Sequence, residues 1–92
     1  MISSFKHRGL KRFYERDDPS GIRPDMREPV QRILTLLDAA AEPEALDLPR
    51  LRLHRLKGNL AGFCAVTVRA NWRITFRFQG TDAFDVDLTD YH

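Results

Sequence analysis

The stretch Phe63-Cys64-Ala65-Val66-Thr67-Val68-Arg69-Ala70-Asn71-Trp72-Arg73-Ile74-Thr75-Phe76-Arg77-Phe78 carries the period that decides the fold. Cys64, Val66, Val68, Trp72, Ile74, Phe76 and Phe78 take even positions, and Phe84, Val86 and Leu88 continue the series. Thr67, Arg69, Arg73, Thr75, Arg77, Asp85 and Asp87 take odd ones. A period of two is that of β-strands, whose side chains alternate between faces, so these residues predict an antiparallel sheet with one apolar and one polar face. Turn residues fall at Ala70-Asn71 and at Gly80-Thr81-Asp82. Because partners across a ladder share a face, uninterrupted alternation requires a three-residue loop, Ala70-Asn71-Trp72, with Asn71 in the left-handed conformation and Arg69 directly opposite Arg73. The loop Gly80-Thr81-Asp82 likewise sets Arg77 against Asp85 and Thr75 against Asp87. A further strand, Leu51 to Leu56, is expected to pair with Phe63 to Arg69 and to bring His54 out beside Ala65 and Thr67.

Upstream the period is helical. Ser4 can cap a first helix with Leu10, Phe13 and Tyr14 on one stripe. The prolines and glycine of residues 17–24 make a loop. A second helix begins near Asp25, with Asp25 and Glu28 at capping-box spacing and Pro29 in its first turn, and buries Val30, Ile33, Leu34 and Leu37 until about Ala40. Residues 42–49 form a connector with room for one helical turn. The expected fold is α+β: two N-terminal helices packed on the apolar face of a small antiparallel sheet, in one domain spanning residues 1–92. The polar face is left for solvent or a ligand.

Composition limits the partners. The chain has 92 residues, a formal net charge of +2 and one cysteine, Cys64, which cannot form an internal disulfide and suits a reducing compartment. No apolar run approaches the roughly 20 residues of a membrane span, and the first residues lack the apolar core of a signal peptide, so a cytoplasmic protein is expected. Arg50, Arg52, Arg55, Lys57, Arg69, Arg73 and Arg77 fall in a stretch without Asp or Glu, which makes a polyanion footprint.

Arg77 has a cross-strand acid and needs no ligand. Arg69 and Arg73, set opposite each other, repel unless an anion lies between them. The final strand returns toward that turn and delivers Asp90, Tyr91 and His92 to it. Arginine can hold a phosphate, histidine and aspartate can move protons, and tyrosine can orient a base. Three histidines far apart in sequence and a single cysteine offer no metal-site spacing, and phosphate-binding glycine loops and nucleophile elbows are absent. Cleavage of RNA by attack of the 2′-hydroxyl on the adjacent phosphate fits these groups, as does a non-enzymatic RNA-binding module.

The segments Phe5-Lys6-His7-Arg8-Gly9-Leu10-Lys11, Leu53-His54-Arg55-Leu56-Lys57-Gly58 and Val68-Arg69-Ala70-Asn71-Trp72-Arg73-Ile74-Thr75-Phe76, with the ending Asp90-Tyr91-His92, resemble the HigB-like toxins of the RelE/ParE superfamily over nearly the whole chain. The resemblance implies a microbial RNase-type fold and a type II toxin that cuts mRNA in the A site of the translating ribosome. It implies no metal or other cofactor. A cognate helix-turn-helix antitoxin is the implied protein partner, with DNA engaged only indirectly through it, and no membrane is involved. By position His54, Asp90, Tyr91 and His92 match the family's catalytic group, and Lys57, Arg69 and Arg73 its basic RNA-contacting group; Arg73, expected to hold the scissile phosphate, is counted with the catalytic residues, and Asn71 with the RNA-binding ones. Arg55 stands where relatives often have proline, and Asn59-Leu60-Ala61 replaces a more polar loop. A ParE-like inhibitor of gyrase shares the fold without needing an acid and base.

Overall fold

The computed structural model describes residues 1–91. Two helices, α1 (Arg8–Arg16) and α2 (Arg27–Ala39), pack on one face of a four-stranded antiparallel sheet made of β1 (His54–Arg55), β2 (Phe63–Arg69), β3 (Trp72–Gln79) and β4 (Asp82–Asp90). The strands lie in sequence order. Leu10 from α1, Val30, Ile33, Leu34 and Leu37 from α2, and Cys64, Val66, Ile74, Phe76, Val86 and Leu88 from the sheet form one buried cluster. Each large side chain removed from water here contributes about 1.5–3 kcal/mol. Burial also pushes the Cys64 thiol above its ordinary pKa, which keeps it in the unreactive protonated form. None of the described helices is long and apolar enough to cross a membrane.

The helix stripes and the connector turn, a short 3₁₀ segment over Pro43–Leu46, stand where the sequence puts them. The helix starts differ. The N-cap of α1 is His7, whose Nδ1 accepts from the Leu10 amide at 3.1 Å. Ser4 instead belongs to an N-terminal segment that lies parallel to β4, with bridges Ile2 to Ala83 and Phe5 to Val86. Its hydroxyl accepts from the Asp85 amide at 2.8 Å. This segment was not legible in the sequence, and it covers the outer edge of β4 along those bridges. The capping box does not form either: α2 follows a 3₁₀ turn over Pro24–Met26, its N-cap Met26 makes no side-chain cap, and Asp25 turns toward the hairpin.

Two bulges correct the sheet register. In the first hairpin Thr67 pairs with Arg73 but Arg69 pairs with Trp72, which leaves Val68 as an extra residue. The loop is therefore the two residues Ala70-Asn71, and Ala70, not Asn71, has the positive φ, 50°. In the second, Thr75 pairs with Asp87 as expected, while Arg77 pairs with Phe84 and the loop shortens to Gly80-Thr81. The extra residue is Asp85, at φ 55°. A bulge inverts which face the following residues take. Arg69 consequently joins Trp72 on the helix side, Ala83 is buried in the core, and Phe84 moves out to the open face.

Strand β1 is shorter than the expected Leu51–Leu56. Arg52 takes φ 51°, which breaks the strand before His54, although the pairing of His54 with Ala65 is as expected.

Candidate functional site

The face of the sheet opposite the helices is built in three rows. Thr67, Arg73 and Thr89 form one across β2, β3 and β4. His54, Ala65, Thr75 and Asp87 form the next across all four strands. Phe63, Arg77 and Phe84 form the third.

Arg73 stands at the hairpin end of this face. Its Nη1 donates to the carbonyls of Ala70 at 2.7 Å and Trp72 at 3.2 Å, which fixes the guanidinium over the turn. A guanidinium carries five N–H donors in a planar fork, so a group held through one nitrogen still presents donors to a phosphate. On either side the hydroxyls of Thr67 and Thr89 are buried and without a hydrogen-bond partner among the described residues. Neither threonine stood out in the sequence as more than a polar strand position.

His54 is exposed on the edge strand, with Nδ1 3.1 Å from the carbonyl oxygen of Arg52. A carbonyl only accepts, so Nδ1 is the donor in this contact, and in the neutral ring Nε2 is then the nitrogen that accepts. The left-handed turn at Arg52 brings that carbonyl into position. Lys57 is exposed at the start of the 3₁₀ turn Gly58–Leu60, at the end of the segment following β1.

Arg69 is not part of this face. Its guanidinium lies 3.3 Å from the Asp25 carboxylate, which also holds Arg23 at 3.1 Å, and Arg23 stacks over Trp72 at 5.9 Å from the ring centroid. The expected apposition of Arg69 and Arg73 across the hairpin is overturned: Arg69 has an acid, supplied from the turn before α2. Arg77 does pair with Asp85, Nε to Oδ2 at 2.8 Å, but diagonally at the bulge and not as a direct cross-strand partner.

The end of the chain is tied to the same hairpin. The Tyr91 amide donates to the Asn71 carbonyl at 2.8 Å, so Asn71 anchors Tyr91 through its backbone. Tyr91 is exposed. Asp90 is paired with Trp72, which directs its side chain to the helix side, while its neighbour Thr89 shares the face of Arg73. His92 lies outside the described residues. The register thus places Arg73 and His54 on the open face and Arg69 and Asp90 on the opposite one, with the Asn71–Tyr91 backbone link at the hairpin end.

The sequence model described as "RelE-like toxin of type II toxin-antitoxin system HigB" matches residues 3–92. The chain belongs to the HigB-like toxin family. It is 42% identical over 92 residues to Endoribonuclease HigB of Proteus vulgaris, with 100% of both chains covered. To Toxin HigB-1 of Vibrio cholerae it is 36% identical over 80 residues, covering 85% of this chain and 84% of that toxin. Among solved structures, a histidine-to-glutamine mutant of YafQ from E. coli superposes with a TM-score of 0.61 at 15% identity, over 98% of this chain and 93% of that one. That last likeness concerns the fold alone: two helices against a four-stranded antiparallel sheet.

Proposed function

We propose that this HigB-like toxin is an endoribonuclease that cuts mRNA on the translating ribosome in the cytoplasm and is held in check by a cognate helix-turn-helix antitoxin. The observation that carries the reading is the placement of the His54 imidazole, held through Nδ1, on the same open face as Arg73. Counting strand spacings and rises, their Cα atoms stand roughly 12 Å apart, a gap that two long side chains and one scissile phosphate fill.

The chemistry needs no metal. His54 takes the proton from a ribose 2′-hydroxyl, the oxygen attacks the adjacent phosphorus, and the bond to the 5′-oxygen breaks. His92 returns a proton to that oxygen, leaving a 2′,3′-cyclic phosphate and a free 5′-hydroxyl. Arg73, with Lys57, holds the phosphate and meets the charge that grows on it. Tyr91, fixed through Asn71, orients the nucleotide. Asp90, which leaves the strand on the other face, serves better as a partner that positions the terminal residues than as the base. Arg69 contacts RNA from the helix side of the turn, alongside Arg23. The likeness to Endoribonuclease HigB of Proteus vulgaris and to Toxin HigB-1 of Vibrio cholerae supports the assignment to a ribonuclease toxin.

The test is cleavage of mRNA bound to programmed ribosomes. Wild-type protein is expected to yield discrete cuts with 2′,3′-cyclic phosphate ends, and His54→Ala, Arg73→Ala and His92→Ala proteins to lose them. Full cleavage by a folded His54→Ala protein sinks the assignment of the base.

A further inference from the structure

The third row of the open face has no part in the chemistry above. Phe63 and Phe84 flank Arg77 in it, each ring half-exposed on the side of the sheet away from the helices. Aromatic rings on a strand normally point into the core; here the bulge at Asp85 turns Phe84 outward, and neither ring belongs to the apolar cluster beneath the helices. Both carry a cation on the ring. The Arg77 guanidinium lies 5.1 Å from the Phe84 centroid while its Nε is fixed by Asp85, and the Lys6 ammonium lies 5.1 Å from the Phe63 centroid. Arg77 is thus committed to orienting its neighbours, and its charge is balanced by Asp85. What remains is two half-exposed rings, one on either side of Arg77, each with a cation beside it, and of the two cations only Lys6 has no carboxylate holding it in the contacts described.

We propose that Phe63 and Phe84 form a stacking step for a base of the mRNA strand beyond the cleaved dinucleotide, with Lys6 reaching the phosphate beside it. The proposal rests on the reading of this chain as an RNA-cutting enzyme. Arg73 and Arg77 stand four residue steps apart on β3, about 13 Å along the strand, so a strand of RNA held by Arg73 crosses the His54 row and arrives at the rings. Stacking on aromatic rings is tolerant of sequence, because every base has a π-face, and a neighbouring cation adds electrostatic attraction. A protein this small gains grip from such a step with one added phosphate contact, on a face where Asp85 and Asp87 oppose more.

The experiment compares wild type with the Phe63→Leu/Phe84→Leu and Phe63→Tyr/Phe84→Tyr double variants in ribosome-programmed mRNA cleavage. Leucine keeps the apolar bulk and tyrosine keeps the ring. The leucine pair is expected to raise KM by about fivefold or more, with a smaller effect on kcat, and the tyrosine pair to restore it. In a second arm, a single abasic nucleotide is stepped through the mRNA outside the cut codon. One position is expected to reproduce the KM rise in wild type and to add nothing in the leucine pair. Unchanged KM in a folded leucine pair overturns the proposal. So does a KM rise that no abasic position reproduces, since the rings then touch the ribosome itself and not the message. Absence of cleavage by wild type would refute the enzymatic reading on which the proposal rests, an outcome distinct from both.

Discussion

The guanidinium of Arg69 lies 3.3 Å from the carboxylate of Asp25, on the side of the sheet away from Arg73. Two arginines that a simple alternation sets face to face are therefore divided between the two faces, and only Arg73 is left on the one that carries His54. The division has unequal consequences. Loss of a preorganised donor to a developing negative charge typically costs about 10²–10³ in rate. Arg73→Ala is accordingly expected to lower kcat/KM for ribosome-bound mRNA by about a hundredfold or more, and Arg69→Ala by less than about tenfold. Because the Asp25–Arg69 pair is largely exposed, Asp25→Asn should change unfolding free energy by less than about 1 kcal/mol. Equal losses for the two arginine variants would contradict the division.

This also shows where the sequence was legible and where it was not. The even-numbered apolar series gave the sheet, its apolar face and the helix stripes, because period and burial are local properties that every residue in the strand repeats. Val68 and Asp85 broke the parity argument, since a bulge is a single left-over residue in a ladder, and nothing in an unbroken alternation marks it. The partner of Arg69 was equally hidden: Asp25 looked like a helix cap by spacing, and only the tertiary fold brings it to the hairpin. Of the site, His54 beside Ala65 and Tyr91 beside the turn followed from pairing. The two buried threonine hydroxyls around Arg73 and the outward turn of Phe84 follow from register details that only the folded chain contains.

Asp85 supplies a test of the bulge. Its amide, turned out of the ladder, donates to the Ser4 hydroxyl at 2.8 Å, and this bond joins the N-terminal segment to β4. Ser4→Ala leaves that partly buried amide without its acceptor, at a cost of about 1 kcal/mol. Chemical denaturation should show a lower midpoint with an unchanged slope, and amide exchange at Asp85 should accelerate. A silent Ser4→Ala would mean that the amide finds another acceptor.

The network around Asp38 predicts an acid-sensitive lock. The Tyr14 hydroxyl donates to Asp38 Oδ1 at 2.6 Å and the Ile2 amide donates to the same oxygen at 3.0 Å, so α1, α2 and the N-terminal segment meet at one carboxylate. The Tyr14 hydrogen bond, aided by the Ile2 amide and the N-terminal charge, outweighs burial and holds the Asp38 carboxyl below its ordinary pKa. A depressed pKa in the folded state adds stability that is present above the ordinary carboxylate range and is lost as pH falls through the folded value. The same bond pushes the Tyr14 hydroxyl up to about 12, so its contribution is complete below the ordinary tyrosine value and disappears only as pH rises through about 12. Tyr14→Phe is therefore expected to destabilise by about 1 kcal/mol between pH 5 and pH 9 and to match wild type more closely toward the acid end, below about pH 4. Denaturant midpoints across that range check it; a penalty independent of pH down to the acid limit would rule out the charge-assisted bond as its source.

Gly9 reverses the usual rule for glycine in a helix. In the middle of an exposed helix, alanine in place of glycine gains about 1 kcal/mol from the smaller entropy of the unfolded chain and better helix propensity. Here α1 crosses the turn over Pro19–Gly21 so closely that a Cβ on Gly9 would lie 2.7 Å from the Gly21 carbonyl oxygen and 2.8 Å from Cε1 of His7. One obstacle is backbone and cannot rotate away; the other is the ring that caps the helix through the Leu10 amide. Relieving the contact means separating α1 from the turn or pushing out the cap, and overpacking of this kind costs about 1–3 kcal/mol. The clash outweighs the propensity gain, so Gly9→Ala should lower the thermal midpoint, whereas Lys11→Ala, exposed on the same helix, should leave it nearly unchanged. A Gly9→Ala protein more stable than wild type would show that the crossing relaxes without cost.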